Sequence, residues 1–319
     1  MSKFLTGKVA IVTGGGRGLG RCHALALAAA GASVVVNDLG GSDRGDGADT
    51  GPAYAVAEEI RRAGGTAVAN ADSVADWDSA KAIVETALSE FGRLDILVNN
   101  AGISRFATLD EGTKEDWDLT IAVNLTGTAA MIYWAAQHWK SVGPASGRAI
   151  VNTASPAGTN PLPGSAPYCA SKAGILALTI TSAGELAHLG VRVNAIAPMA
   201  RTRMTEAVDM LADVLRKPEH GFDRIAAEHV SPMVTYLASS RCRFTGRVFG
   251  TEGDDIYLFD GFSAARHFNN AARQWTVETL ETALRDADPQ DHGFMVAPGM
   301  RIPADQPSEA TIAVLTAVA

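Results

Sequence analysis

Cysteine is scarce in this chain, and positive charge is outnumbered. The three cysteines, Cys22, Cys169 and Cys242, are odd in number and far apart. They define neither a disulfide framework nor a CxxC metal site, and a reducing cytosol fits such usage. The chain has 27 lysines and arginines against 35 aspartates and glutamates, a formal charge of −8. That balance argues against a nucleic-acid partner, because a phosphate backbone wants a basic face. No apolar run reaches the roughly 18 residues that span a bilayer. The opening MSKFLTGKVAIVTGG enters a strand without the long apolar core of a secretory signal, and the closing Ala-Val-Ala is not a peroxisomal Ser-Lys-Leu. The seven histidines form no HxxxH or HExxH pair, so no metal is expected. These absences lead us to expect a cytoplasmic protein with no membrane or nucleic-acid partner.

What is present is core-forming. Of 319 residues, 47% are hydrophobic and 19% charged, enough for one large α/β domain with an extension. Val9–Thr13, Ser33–Asp38, Ala67–Asn70, Leu94–Asn99, Ala149–Thr153 and Val191–Ala197 read as buried parallel strands, short and β-branched. A seventh is expected near Arg247–Gly250. Between them Leu19–Ala30, Tyr54–Ala63, Asp76–Phe91, Lys114–Trp139 and Tyr168–Leu189 read as helices, several stopping at glycine (Gly31, Gly64, Gly92, Gly190). Repeated strand–helix–strand units imply a Rossmann-like, doubly wound parallel sheet of about seven strands. Residues 1–260 form the expected Rossmann-like domain. Residues 261–319 form a C-terminal extension, with one helix (Val277–Asp286) and a tail punctuated by proline from Pro289 to Pro307. The polar, glycine-rich Gly40–Ala53 reads as a mobile loop.

The segment TGGGRGLG, Thr13 to Gly20, follows the first strand and opens the first helix. Gly14 permits the tight turn. Gly18 and Gly20 let a pyrophosphate approach backbone N–H groups and let the helix sit close to the sheet, with the helix N-terminus favouring the phosphates. Asp38 closes the second strand, 20 residues past Gly18, where a carboxylate can accept from both adenosine ribose hydroxyls. It would repel a 2′-phosphate, which favours NAD over NADP. Arg17 is a counter-signal, since a cation there could stabilise that phosphate.

Tyr168 and Lys172 lie four apart on a helix and project from one face. A tyrosine with ordinary pKa is a poor base at neutral pH, and a nearby ammonium is expected to lower it. Ser155, 13 residues before Tyr168 and just past a strand, can orient a substrate oxygen. Pro156 stiffens the loop that carries it.

TGGGRGLG, Asp38, Asp72, NNAG (Asn99 to Gly102), Asn124, Ser155, YCASK and RVNAIAP (Arg192 to Pro198) together resemble the short-chain dehydrogenase/reductases over about residues 6–250. The resemblance implies that Tyr168 is the acid/base, that Lys172 lowers its pKa and binds the nicotinamide ribose, and that Ser155 polarises the substrate oxygen. It implies that Asn124 holds a water in a proton relay through Lys172. Asp72 and Ser73 would contact adenine, and Asn100 would line the cofactor cleft with Arg17, Leu19, Ala101, Gly102, Pro198, Met199 and Thr202. Met199 stands where the family usually has glycine, which places a side chain near the nicotinamide carboxamide. The family also implies a homodimer or homotetramer built partly on the helices after Asp116 and Tyr168. A finer resemblance, in VVVNDLGG (Val34 to Gly41), ANADSVADWD (Ala69 to Asp78) and ARTRMTEAV (Ala200 to Val208), is to the (R)-3-hydroxyacyl-CoA dehydrogenase part of peroxisomal multifunctional enzymes and to bacterial relatives acting on acyl-CoA or steroids.

The expected function is therefore NAD-dependent, reversible oxidation of a small-molecule secondary alcohol to a ketone, on 3-hydroxyacyl-CoA or alternatively on a hydroxysteroid or general alcohol. Arg201, Arg203, Arg216 and Lys217 could meet CoA phosphates, or serve as ordinary solvated charges. His188, His220 and His229 read as exposed or helix-terminal, and Trp134 and Trp139 as packing against the core or a neighbouring subunit.

Overall fold

In a computed structural model, which describes residues 3–206, 212–259, 268–270 and 274–284, the chain builds one eight-stranded sheet. The elements are β1 (Val9–Thr13), α1 (Gly18–Ala29), β2 (Ser33–Asn37), α2 (Gly51–Arg62), β3 (Thr66–Asn70), α3 (Trp77–Phe91), β4 (Ile96–Asn99), α4 (Lys114–Ile121), α5 (Gly127–Ser141), β5 (Arg148–Thr153), α6 (Ala166–Glu185), β6 (Val191–Pro198), α7 (Arg203–Glu206), α8 (Ser231–Ala238), β7 (Val248–Glu252), β8 (Asp255–Phe259) and α9 (Val277–Leu284). Strand order is β3-β2-β1-β4-β5-β6-β7-β8, all parallel except β8.

Strand periodicity sends alternate residues to opposite faces. Ala10, Val12, Val34 and Val36 pack with Leu27, Val56, Ile60, Val234 and Leu237 on one face. Val9, Ile11 and Val35 pack with Ile83, Val84, Met131, Ala135 and Trp139 on the other. The helix stops fall where glycine placed them: Gly31, Gly64, Gly92 and Gly190 all have positive φ, between 73 and 103°. The chain builds outward from β1 to β3, then returns to place β4 on the other side of β1. The carboxyl ends of β1 and β4 diverge at this switch and leave a crevice between them.

Four features depart from expectation. The sheet has an eighth strand, antiparallel and turned back at Gly253, whose ideal Cβ would lie 2.7 Å from Arg224. Lys114–Trp139 is not one regular helix, because α4 and α5 are joined by a π-helical turn, Ala122–Thr126. That helical run is long and apolar enough by composition to cross a membrane, but Ala130, Met131, Ala135 and Trp139 lie in the core, so it is a core helix. Helix α6 ends at Glu185 and is followed by a 3₁₀ turn, Ala187–Leu189, so the expected single helix is split there too. Lastly, Gly40–Ala53 is not a loose loop. Ser42 Oγ accepts from the N–H groups of Arg44 and Asp46, Asp49 N–H donates to Leu39 O, and α2 begins at Gly51. The tail from Pro289 to Pro307 lies outside the described residues.

Trp134 and Trp139 of the long helical run have partners within the chain. Trp139 Nε1 donates to Leu94 O at 2.8 Å and Trp134 Nε1 to Trp77 O at 2.8 Å.

His23, on the buried face of α1, has Nδ1 2.9 Å from Ser231 Oγ, while its Nε2 has no partner. Burial pushes its pKa down from 6.5 to about 3. The unfolded chain thus takes up a proton as pH falls below 6.5 and the native chain does not, so this group removes stability over the window from 6.5 down to 3. We expect a slope approaching about 1.4 kcal/mol per pH unit there, and a flat contribution above it. Urea midpoints across that range should lose this component in His23→Asn; an unchanged acid limb in the variant would rule His23 out as its source.

Candidate active site

The glycine loop is held by contacts that leave no room for side chains. A methyl group at Gly20 would stand 2.0 Å from the Gly14 carbonyl oxygen and 2.5 Å from Asn100 Nδ2, and one at Gly14 (φ 61°) 2.8 Å from Ala101 Cα. Asn100 locks the arrangement by donating from Nδ2 to Thr13 O and Gly14 O at 3.0 and 3.1 Å. Thr13 Oγ1 in turn accepts from the N–H groups of Asn100 and Ala101. Above Gly18 the nearest atom to an added Cβ is Thr202 Cγ2, 3.7 Å away, so this side of the loop opens into the crevice.

At the end of β2 the Asp38 carboxylate accepts from Gly16 N–H at 2.8 Å and Gly40 N–H at 2.7 Å. Two backbone donors hold it as an acceptor at the mouth of the glycine loop. Arg17, the counter-signal in the sequence, lines the cleft but is already engaged. Its guanidinium donates to the carbonyls of Gly40 and Gly41 and faces Asp49 at 3.9 Å. Asp72 is held in a network in which Asn70 Nδ2 donates to its Oδ2 at 2.7 Å and Asn37 Nδ2 to its main-chain oxygen at 2.8 Å.

The chemical end is assembled by β5 and α6. Ser155, in extended conformation, caps a 3₁₀ turn (Pro156–Gly158) opened by Pro156, and its Oγ accepts from Ala157 N–H at 3.1 Å. A Cβ on Gly158 would lie 2.8 Å from the Lys172 main-chain carbon, so this turn packs directly on the α6 backbone and brings Ser155 beside Tyr168. Lys172 is buried, and its Nζ donates to Thr153 O at 2.8 Å while standing 5.6 Å from the Tyr168 ring centre. Burial lowers the Lys172 pKa to about 8. It raises that of Tyr168, an effect the Ser155 hydroxyl partly offsets. Burial thus raises the pKa of Tyr168 here, opposite to the lowering expected from its spacing to Lys172. The amine stands over the ring, and desolvation disfavours the phenolate.

Asn124 also fastens the fold beside the site. It sits in the π turn, fully buried, with Oδ1 accepting from Ile103 N–H at 2.8 Å. Its Nδ2 donates to Ile103 O and to Ser171 Oγ, both at 3.0 Å. Both amide hydrogens are thus used, and its carbonyl takes the Thr128 hydroxyl at 2.7 Å. The side chain clamps the loop after β4.

These pieces enclose one cleft of about 300 Å³. Gly14, Arg17, Gly18, Leu19, Gly20, Asp38, Asp72, Ser73, Asn100, Ala101, Gly102, Ser155, Tyr168, Lys172, Pro198 and Thr202 all line it. Met199 does not; its N–H donates to Thr251 O at 2.9 Å, extending the pairing of β6 with β7. Reading the sequence missed Val74, Ile103, Leu119, Val123 and the wall Gly41–Gly45, none of which carries a chemical signature. It also missed Gly158, where only the close approach to α6 reveals the need. Arg201 is held bidentately by Asp223 and Arg216 pairs with Asp213, so of the four basic candidates Arg203 alone lines the cleft. His188, His220 and His229 do not line it. No group of His, Cys, Asp or Glu among the described residues is placed to hold a metal.

A family model described as short chain dehydrogenase matches residues 8–210. A crystal structure of a short chain dehydrogenase from Mycobacterium avium superposes with a TM-score of 0.77 at 42% identity, covering 90% of this chain and 97% of that one. The chain is 39% identical over 293 residues to the hydroxyacyl-CoA dehydrogenase ChsB1 of Mycobacterium tuberculosis, covering 88% of this chain and 89% of that one. It is 42% identical over 247 residues to the peroxisomal hydratase-dehydrogenase-epimerase of Saccharomyces cerevisiae, covering 76% of this chain but 25% of the yeast protein's length. The chain belongs to the short chain dehydrogenase family. It is an oxidoreductase of CH–OH groups that uses a nicotinamide cofactor.

The residues fit that cofactor. The glycine cradle is open above Gly18, the donors of the helix N-terminus face it, and Thr153 Oγ1, on the cleft wall, is buried with no partner.

Proposed function

We propose that the protein oxidises 3-hydroxyacyl-CoA reversibly to the 3-ketone with NAD, Tyr168 moving the proton. The observation that carries this is the convergence of Ser155, Tyr168 and Lys172 on one end of a cleft whose other end is the glycine loop and Asp38. When bound, the nicotinamide exchanges a hydride with the carbinol carbon. Tyr168 gives its phenolic proton to the ketone oxygen in reduction and accepts the hydroxyl proton in oxidation. Ser155 orients that oxygen. Lys172, held by Thr153 O, keeps two further hydrogens for the dinucleotide and supports charge that develops on the phenol. The preference for NAD rests on the carboxylate of Asp38, which a 2′-phosphate would have to approach, and on the engagement of Arg17 by the carbonyls of Gly40 and Gly41. The acyl-CoA class rests on the similarity to the mycobacterial hydroxyacyl-CoA dehydrogenase along nearly the whole chain. Exposed Trp117, Tyr133 and Ile180 on α4, α5 and α6 support an oligomer built on these helices.

The test is steady-state kinetics of the purified protein on 3-hydroxyacyl-CoA esters and on free hydroxysteroids, each with NAD and NADP. We expect turnover of the esters with kcat/KM at least about tenfold higher for NAD. A higher value with NADP sinks the cofactor assignment, and turnover of steroids alone sinks the substrate.

A further inference from the structure

The wall formed by Gly41 to Gly45 has a fastening of its own. This segment leaves β2 directly after Asp38 and lines the adenosine end of the cleft with Leu39, Gly41, Ser42, Asp43 and Gly45. Arg17 holds its beginning through two carbonyls. Its tip is held from across the cleft by Arg105, which lies on the loop after β4. Arg105 Nε donates to Arg44 O at 2.8 Å, one terminal nitrogen meets Asp46 at 2.7 Å, and the other meets Asp116 on α4 at 2.9 Å. The Arg105 side chain is only 15% exposed, although Asp46 is 66% exposed. Beside it Ser104 N–H donates to Asp43 O at 3.0 Å. Gly45 lies so close to Ile103 and Leu119 that an added Cβ would stand 2.9 and 3.1 Å from their methyl groups. The backbone of Ile103 is the group clamped by Asn124. The wall is therefore anchored, through three consecutive residues, to the same loop that Asn124 fixes.

We infer that Arg105 is a positioning residue for the cofactor: it pins the 41–46 wall across the adenosine end of the cleft and so governs how tightly, and for how long, the dinucleotide is held. The inference rests on the reading of the cleft as a dinucleotide site. It touches no reacting atom, and its effect runs through the loop. If the pin is removed and the wall is in place about a tenth of the time, apparent affinity falls about tenfold. The KM for cofactor rises by the same factor, and kcat at saturating cofactor does not fall.

The experiment uses Arg105→Met, Asp46→Asn and the double variant in the full-length chain. ADP-ribose affinity is measured by calorimetry and NADH dissociation by stopped-flow fluorescence. Trypsin cleavage after Arg44, in the wall itself, is followed by mass. The expected result is weaker ADP-ribose binding and faster NADH release in both single variants, with the double variant no worse than Arg105→Met. Cleavage after Arg44 should accelerate in Arg105→Met, and NADH should protect the wild type. Because Asp46 is exposed, its replacement leaves the core intact and keeps the test decisive if Arg105→Met folds badly. Unchanged affinity in both variants overturns the inference, as does loss confined to Arg105→Met, which would trace the effect to Asp116 and α4. A wild type that binds neither ADP-ribose, NADH nor NADPH overturns the dinucleotide reading itself, and the inference with it.

Discussion

Tyr168→Phe is expected to lower kcat by about 10²- to 10⁴-fold, the usual contribution of a positioned proton-transfer group, while NADH binding and the thermal midpoint stay near those of the parent. The phenyl ring keeps its place over Lys172, where the amine stands 5.6 Å from the ring centre, and only the hydroxyl beside Ser155 is lost. Lys172 retains its bond to Thr153 O, so the ribose side of the cleft is undisturbed. Steady-state kinetics alongside a fluorescence titration with NADH separate the two effects. Turnover within tenfold of the parent would remove Tyr168 from the chemistry, and loss of NADH binding would show that the ring supports the cleft instead.

Gly20→Ala should be among the most damaging single methyl groups in the glycine loop. Its Cβ would sit 2.0 Å from the Gly14 carbonyl oxygen and 2.7 Å from the carbon, contacts that only backbone displacement relieves. The third neighbour, Asn100 Nδ2, at 2.5 Å, is tied to two carbonyls and cannot swing aside without releasing them. We expect a destabilisation of about 1–3 kcal/mol or somewhat more, together with at least tenfold weaker NADH binding, because the N–H groups that face the phosphates move with the turn. Gly18→Ala is the control. It has positive φ (48°) but open space, so the expected cost is backbone strain of about 1 kcal/mol. Thermal melts with and without NADH rank the pair. Equal behaviour of the two variants would mean that the crowding at Gly20 is relieved cheaply.

The sheet, its helix stops and the two ends of the cleft were legible because each rests on a local signal: β-branched runs, glycine at left-handed positions, a glycine loop between strand and helix, and a hydroxyl and amine four residues apart. The rest depends on what meets what across the fold. Asp255 to Phe259 follow β7 after a two-residue turn and run backwards on the sheet edge, so the strand–helix–strand rhythm that marks the parallel strands does not reveal them. The π turn has no sequence mark, since Ala-Val-Asn-Leu-Thr is acceptable to any helix. Gly40–Ala53 has the composition of a loose loop, and its order comes from Arg17 and Arg105, the latter more than fifty residues away. The direction of the Tyr168 shift was misjudged because spacing reports which groups are near but not how deeply they are buried.

The π turn has a consequence of another kind. It places one surplus residue between two stretches of ordinary helix, and a residue adds about 100° of rotation to an α-helix. Asn124 lies within that turn, and its amide meets Ile103. Chain length, and not side-chain chemistry alone, is therefore the inherited property at this point. Replacing any residue of the turn preserves the phase between the two halves, whereas excising one would re-register the helix and swing everything before it around its axis, away from the partners it now faces.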